Sequence, residues 1–395
     1  MITDDDILLL EEAMVLAQQG EGMVNPNPLV GALIVRDDEI IAQGYHTRYG
    51  DLHAEREAFR HADENGIDCS GATMYVTLEP CCHHGHQPPC TDAIIEHKIS
   101  RVVVGLTDPN PLVAGKGMKL LREAGIEVDA LQTSETEKTA FINAATEKMA
   151  ERMVKSLQMQ NRVFLKFIST GMPWVTAKWA MTLDGKIAAY TGDSKWITGE
   201  KARERVHMVR RTNMGILCGI GTVLADDPML NVRLSEEALE KLCIKEHEVR
   251  NPVRIVADRQ ARIPMESQLV ATAREVPTVV VYADGADYEK LQMLRDAGVV
   301  LWNCNTLSEL IQRAGAEKID SILLESGGTL SEALLKEGMI DEVLAFVAPK
   351  IIGGKNARTP VEGEGMELMS EAIELSDTIV ETIGNDVLIS GLVNK

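Results

Sequence analysis

Two series of short, Val- and Ile-rich runs, each run separated from the next by a stretch of helical periodicity, restrict this chain to layered α/β architecture with largely covered sheets. The first series holds LVGALIV (29–35) and IIAQG (40–44), which flank the turn-like RDDE and predict a hairpin, then TMYVTL (73–78) and RVVVGL (101–106). Helices are expected from Thr3, which is followed by three acidic residues, through Ala17, from His53 to Asp63, from Cys90 to His97, and over 115–125, ending at Gly125. The second series is WVTAKWAM (174–181), MGILCG (214–219), VRIVAD (253–258), TVVVYA (278–283), SILLESG (321–327) and EVLAFVAP (342–349). Between the series, residues 135–160 are rich in Glu, Lys, Ala and Met and helical in pattern. They are read as the end of a first domain running into a connector, with no functional account. The expected division is 1–147, a connector 148–172, and 173–395.

With 395 residues, 45% apolar and 25% charged, the chain can form two ordinary globular cores. No run of about 18 apolar residues occurs, and the acidic start MITDDDILLL lacks the positive charge of a signal peptide, so a cytoplasmic protein with no membrane partner is expected. The net charge of −20 opposes a nucleic-acid partner, since that affinity rests on Lys and Arg neutralising phosphates. The imbalance is concentrated in residues 1–150, with 11 Lys and Arg against 25 Asp and Glu. Seven scattered cysteines do not form a disulfide framework, but Cys81, Cys82 and Cys90 crowd into ten residues.

His53-Ala54-Glu55 stands at one predicted helix start, and Pro80-Cys81 with the later Cys90 at another. One imidazole and two thiolates, with a fourth position for water, form the ligand set of an open catalytic zinc site. Such a metal lowers the pKa of its water toward neutrality, and Glu55 could carry the released proton to a leaving amine. Cys90 follows Pro88-Pro89 and opens a helix, where the dipole favours a thiolate. This H-x-E and P-C pattern resembles the signature of zinc deaminases. That signature, however, places its second Cys three residues after the first, where this chain has His84, and Cys90 stands nine after Cys81. From the residues alone, His84 or Cys82 could also be a ligand, and a closed structural zinc knot competes while leaving Glu55 without a task.

The motifs PNPLVGALIV (26–35), GYHTRYGDLHAE (44–55), YVTLEPCCHHGHQPPC (75–90) and DPNPLVAGKG (108–117) together resemble the deaminase half of the bifunctional diaminohydroxyphosphoribosylaminopyrimidine deaminases and aminouracil reductases of riboflavin biosynthesis. That family uses the wide Cys spacing. The resemblance implies a cytidine-deaminase-like domain, zinc ligands His53, Cys81 and Cys90, Glu55 as proton shuttle, and substrate contacts at Asn27, His46, Asp108 and Asn110. Taken singly, each of the last four also reads as an ordinary turn or loop residue. Cys82 replaces the family's usual Ser, and His86 stands where a Lys or Arg usually reaches the substrate phosphate, which puts the role of that position in doubt.

In the second half, GIGTVLADDPMLNVR (219–233) follows a predicted strand but lacks the third glycine of a dinucleotide fingerprint, so a Rossmann site is poorly supported. Gly327, Gly328 and Thr329 in ESGGTLSEALL precede a helix, and their amides could hold a phosphate. With AKWAMTLDGKIA (177–188) and TGDSKWIT (191–198), these segments resemble the reductase half of the same family, whose fold is like dihydrofolate reductase. The resemblance spans about residues 20–360. It implies NADPH contacts at Ala180, Trp196, Thr222, Asp226, Gly327, Gly328, Thr329, Leu330, Ser331, Glu332 and Ala333. Phosphosugar contacts would fall on Ser194, Arg210, Leu230, Arg233 and Glu325, with Lys178 in an acid or orienting role opposite Glu325. Trp196 as a core residue and Lys178 as a surface cation are the plainer alternatives. NADPH would supply the hydride and the protein orientation and a proton.

The expected partners are small phosphoribosyl pyrimidines and a second copy of the chain. Two rivals are a deaminase of nucleic-acid bases, opposed by the acidic first half, and a structural zinc module or regulatory remnant, opposed by the intact His53, Glu55, Cys81 and Cys90.

Overall fold

The computed structural model describes residues 1–84, 87–110, 113–132 and 139–394. These fall into two compact units, Met1–Thr170 and Gly171–Lys395.

The first unit runs α1 (Asp4–Ala17), β1 (Gly31–Arg36), β2 (Glu39–Tyr45), α2 (Ala54–Glu64), β3 (Thr73–Leu78), α3 (Cys90–Glu96), β4 (Arg101–Leu106), α4 (Lys116–Glu123), β5 (Glu127–Ala130), α5 (Ala144–Gln160) and α6 (Arg162–Thr170). Thr3 and Asp6 close a reciprocal capping box at the start of α1, satisfying amides that the first turn leaves over. The sheet order is β2-β1-β3-β4-β5, with the predicted β1–β2 hairpin antiparallel and β3, β4 and β5 parallel. Alternating side chains serve opposite faces: Met74, Val76, Val102 and Val104 pack with α2, α3 and α4, while Tyr75 and Val103 pack with α1 and α5. Parallel strands covered in this way have their carboxyl ends free to carry a site.

Residues 148–172, expected as a connector, fall largely within α5 and α6. Ala150, Met153 and Leu157 recur at helical spacing on α5 and are buried in the core with Leu10 and Tyr75, so residues up to Thr170 cover one face of the first sheet. Asn161, buried between α5 and α6, donates to the Leu29 carbonyl at 3.0 Å and accepts the Leu29 amide at 2.8 Å. The stretch without a functional account thus ties down the loop that presents Asn27.

The second unit continues with β6 (Trp174–Thr182), α7 (Glu200–Thr212), β7 (Gly215–Gly219), α8 (Ile220–Asp226), α9 (Glu236–Leu242), β8 (Val253–Ala257), α10 (Gln268–Ala271), β9 (Thr278–Tyr282), α11 (Tyr288–Asp296), β10 (Val300–Asn303), α12 (Leu307–Ala316), β11 (Ser321–Leu324), α13 (Gly328–Lys336), β12 (Glu342–Ala348), β13 (Leu375–Ile383) and β14 (Asp386–Val393). The strand order is β10-β9-β8-β7-β11-β6-β12-β14-β13, parallel from β10 to β12 and antiparallel beyond. From β7 the chain steps through β8 and β9 toward one edge, whereas from β11 it crosses to β12 on the other side. The crevice at the carboxyl ends of β7 and β11 is therefore the topological switch point, where α/β sheets bind ligands.

Candidate functional site

In the first unit, the ends of two helices and one strand bring the predicted metal ligands together. His53 caps α2, Cys81 follows β3, and Cys90 is the first residue of α3. His53 Nδ1 lies 3.4 Å from Cys81 Sγ and 3.5 Å from Cys90 Sγ. Metal bonds of about 2.3 Å to sulfur and 2.0–2.1 Å to nitrogen, opened to a tetrahedral angle, separate N from S by about 3.5 Å, so the donor set fits zinc. Among the described residues this trio is the group of His, Cys, Asp or Glu placed to hold a metal, and His84, exposed, is not part of it. The Cys90 amide donates to Cys81 Sγ at 3.4 Å. Cys90's side-chain hydrogen bond draws the Cys81 thiol down toward the thiolate; burial opposes and His53 assists.

Glu55, in the first turn of α2, is buried beside the trio and hydrogen-bonded to the Cys90 side chain; burial holds its carboxyl above the usual range. His46 donates from Nδ1 to the Leu52 carbonyl at 2.9 Å, which leaves Nε2 to accept the Asn27 amide at 3.0 Å. Its ring meets that of His53 edge-on with centroids 5.6 Å apart. Asp108 follows β4, and burial pushes its carboxyl up to about 6. Its Oδ1 accepts the Asn110 amide at 2.8 Å. His46 thus stands beside His53 and holds Asn27, and Asp108, whose carboxyl senses Cys81, holds Asn110. Cys82 is partly exposed near Glu79 and Lys116, and His86 lies outside the described residues.

Two supporting residues escaped the sequence reading. Glu79, buried directly before Pro80, accepts the amides of Asp108 (3.3 Å), Gly115 (2.9 Å), Gly117 (3.1 Å) and Met118 (3.3 Å). Arg56 donates to the carbonyls of Pro88 (3.0 Å) and Pro89 (2.7 Å), which fixes the turn that delivers Cys90. A carboxylate preceding a metal-ligating turn, and an arginine next to Glu55, were the available signals.

In the second unit, Glu325 emerges from β11 at the switch point. Arg210 of α7 grips it with both nitrogens, Nε to Oε1 at 2.6 Å and Nη2 to Oε2 at 3.0 Å, and Lys178 Nζ of β6 donates to Oε2 at 3.1 Å. Burial alone would raise the Glu325 carboxyl, but these two cations hold it well below the usual range. Lys178 is accordingly not a surface cation. Ser194 Oγ donates to Asp226 Oδ1 at 3.2 Å, joining a predicted substrate residue to a predicted cofactor residue. Thr222 lies on α8 and Ala180 on β6. Trp196 is not core: it is 65% exposed, with the Arg203 guanidinium 4.7 Å above its ring.

The two glycine segments converge, since a Cβ on Gly219 would lie 3.7 Å from Leu330. A Cβ on Gly221 or Gly327 would meet open space, whereas one on Gly328 would collide with the Thr359 carbonyl at 2.5 Å. Gly221 and Gly327 thus leave open space where a side chain would stand, whereas Gly328 is glycine for packing. Within 327–333, Ser331 is buried against Ser326 Oγ at 3.1 Å, the exposed Thr329 Oγ1 donates to Glu362, and Leu330 packs on the core, so each of these side chains has a partner within the protein. Leu230 is likewise buried in the core, with φ +48°, so its side chain is not presented to a ligand. Glu332 lies against Gly363, and Ala333 is half-buried.

Residues 3–106 match the cytidine and deoxycytidylate deaminase zinc-binding region, and residues 173–389 match the RibD C-terminal domain. The riboflavin biosynthesis protein RibD of Actinobacillus pleuropneumoniae is 43% identical over 99% of this chain and 96% of its own length. That of Escherichia coli is 37% identical over 97% and 98%. Among solved structures, Acinetobacter baumannii RibD superposes with a TM-score of 0.82 at 36% identity, covering 99% of both chains. A diaminohydroxyphosphoribosylaminopyrimidine deaminase/5-amino-6-(5-phosphoribosylamino)uracil reductase from Thermotoga maritima gives 0.81 at 33% identity, covering 98% of this chain and 99% of its own.

Proposed function

The chain belongs to the RibD family of bifunctional deaminases and reductases of riboflavin biosynthesis, and on that premise we propose which of its residues act in each reaction. It deaminates 2,5-diamino-6-(5-phosphoribosylamino)pyrimidin-4-one, and then reduces the ribosyl group to give 5-amino-6-(5-phosphoribitylamino)uracil, using zinc and NADPH.

In the deaminase, His53 Nδ1, Cys81 and Cys90 hold the zinc. When bound, zinc supplies Lewis acidity that makes a water nucleophilic near neutral pH. Glu55 accepts the proton of that water and delivers it to the leaving amino group, a task suited to a carboxyl whose proton affinity burial has raised. Asn27 and His46 on one side, Asp108 and Asn110 on the other, orient the pyrimidine.

In the reductase, NADPH would supply the hydride, and the glycine segments at 219–226 and 327–333 with Ala180, Trp196, Thr222 and Asp226 would hold it. Arg233 meets the substrate phosphate, because a guanidinium group matches phosphate oxygens with paired donors, and Arg210, engaged with Glu325, adds its positive charge nearby. Ser194, the Leu230 backbone and Glu325 contact the sugar. Lys178, held by Glu325, is the proton source as the ring opens.

The deaminase occupies the first unit and the reductase residues 173–395. The exposed Ile351, Met369, Ile379 and Val380, together with the edge strand β13, support a homo-oligomer. The substrate class and the net charge of −20 support a cytoplasmic protein without a nucleic-acid partner; among the described residues no helix is long and apolar enough to cross a membrane. The observation that carries the assignment is the trio at 3.4 and 3.5 Å with Glu55 buried beside it. Purified protein given the diaminopyrimidine ribosyl phosphate should release ammonia and oxidise NADPH, each followed separately. Absence of ammonia from zinc-loaded protein would overturn it.

A further inference from the structure

The loop at 227–233, which carries Leu230 and Arg233, follows a path that its residues would not choose alone. Asp227 and Leu230 have φ of +42° and +48°, in the left-handed region that side chains other than glycine rarely adopt. Side chains from elsewhere hold it there. The Gln268 amide donates to Asp227 Oδ1 at 2.9 Å, the buried Arg254 to the Met229 carbonyl at 3.1 Å, and the Val232 amide to Asn251 Oδ1 at 2.8 Å. The last two ties come from α7. Arg210 Nη1 donates to the Asn231 carbonyl at 3.0 Å, and three residues earlier, on the same helix face, His207 Nδ1 accepts the Arg233 amide at 3.2 Å.

An imidazole that accepts through Nδ1 keeps its proton on Nε2 and carries no charge. Its surroundings enforce that state: burial, then the charges of Arg210 and Arg233, push His207 down to about 4, against a smaller opposite pull from Glu325 and the Asn231 carbonyl. Arg210 already has Glu325, whereas among the described residues no carboxylate pairs with Arg233, whose guanidinium is disfavoured by burial and by Arg210. Arg233 Nη1 donates to Asn231 Oδ1, and the exposed guanidinium keeps its other donors accessible to an anion. A charged residue at 207 would add a third positive group and turn an acceptor into a donor facing another donor.

We propose that His207 is a positioning residue of the reductase: its uncharged imidazole holds the Arg233 backbone so that the Arg233 guanidinium is presented to the phosphate of the substrate. This rests on the assignment of Arg233 to that phosphate. The phosphate is held equally in the ground state and during hydride transfer in this reading, so loss of the tie raises KM and leaves kcat.

The test is steady-state NADPH oxidation with the deaminated pyrimidine supplied as its 5′-phosphate and as the dephosphorylated riboside. Arg233→Ala should raise KM for the phosphate roughly 10- to 100-fold and leave the riboside nearly unchanged, as expected for one lost charged hydrogen bond. His207→Ala should raise KM for the phosphate about tenfold, with kcat and KM for NADPH within about twofold of the unmodified enzyme. His207→Asn, whose side-chain carbonyl takes the place of Nδ1, should recover most of that loss. If His207→Ala does not fold, His207→Leu, of similar bulk and without an acceptor, replaces it. His207→Asn as poor as His207→Ala, or a loss spread equally over the riboside and NADPH while Arg233→Ala remains selective, would show that His207 only packs. If Arg233→Ala weakens phosphate and riboside alike, the phosphate assignment itself is wrong. In that event, a histidine series that follows Arg233→Ala on both substrates, with Asn recovering, keeps the positioning role, and one that does not removes it.

Discussion

Glu325→Gln should destabilise the second unit severely, and the structure sets the size of the effect. The carboxylate accepts three charged hydrogen bonds, two from Arg210 and one from Lys178, in a buried setting. Glutamine keeps one acceptor oxygen and turns an amide toward cations that remain. Two lost bonds at roughly 1.5–3 kcal/mol each bracket the 3–5 kcal/mol typical when one member of a buried ion pair is removed. For a unit of this size, about 2–4 °C per kcal/mol converts that to a fall in Tm on the order of 10 °C. The assay is calorimetry of the C-terminal transition in the full chain. The sign with pH follows from a folded carboxyl pKa held below its unfolded value: the stabilisation is present above the unfolded value near 4 and is lost as pH falls through the folded one, so the variant and the parent should converge in acid. A companion change, Lys178→Met, removes one stranded cation, so Glu325→Gln with Lys178→Met should be less destabilised than the two single effects added. A Tm for Glu325→Gln within a degree or two of the parent, or strict additivity of the pair, would refute the reasoning that this triad is mutually dependent.

Glu55→Gln should cut ammonia release by about 10²-fold or more while zinc remains bound and NADPH oxidation on the deaminated pyrimidine is unchanged; loss of both activities in folded, zinc-loaded protein would show that the reactions share groups. Metal analysis should find one zinc per chain, lost in Cys81→Ser with Cys90→Ser, and X-ray absorption should report two sulfur neighbours at about 2.3 Å; a third sulfur would restore Cys82 as a ligand. In the first unit, Asp6 is opposed by burial but held below its usual value by Arg101, 2.8 Å away, so its contribution is present above about pH 4 and lost below. Asp6→Asn should therefore flatten the acid limb of the unit's unfolding curve, and an unchanged limb would remove Asp6 from its cause.

Most of the interior strands were legible because burial on both faces demands unbroken Val and Ile, as in RVVVGL and TVVVY. The strands that escaped lack that demand. The edge strands β5 and β10 have four residues each, β13 is exposed along most of its length, so its composition carries no period, and the interior β14 is only intermittently buried, with Ser390 and Gly391 breaking its apolar run. The buried stripe Ala150, Met153, Leu157 was present at helical spacing, but the surrounding Lys and Glu disguised it as a connector. At the sites, His53, Glu55, Cys81 and Cys90 were readable because metal chemistry needs those residue types. Glu79, Arg56, Asn161 and His207 act on backbone groups, and a backbone partner leaves no mark in the sequence of either participant. Leu230 shows the converse: its position was singled out, but its side chain faces the core.

Glu79 binds amides on both sides of the Asp108 turn and stands two residues before Cys81. Fixing those four amides on folding means that a ligand contacting Asp108 would have less local ordering to subtract from its binding free energy. The arrangement also leaves little room for gradual change. No residue other than a carboxylate of that reach can accept four amides at once, and exchanging it would loosen Asp108 and the approach to Cys81 together, so change near this site is confined to the side chains mounted on this frame.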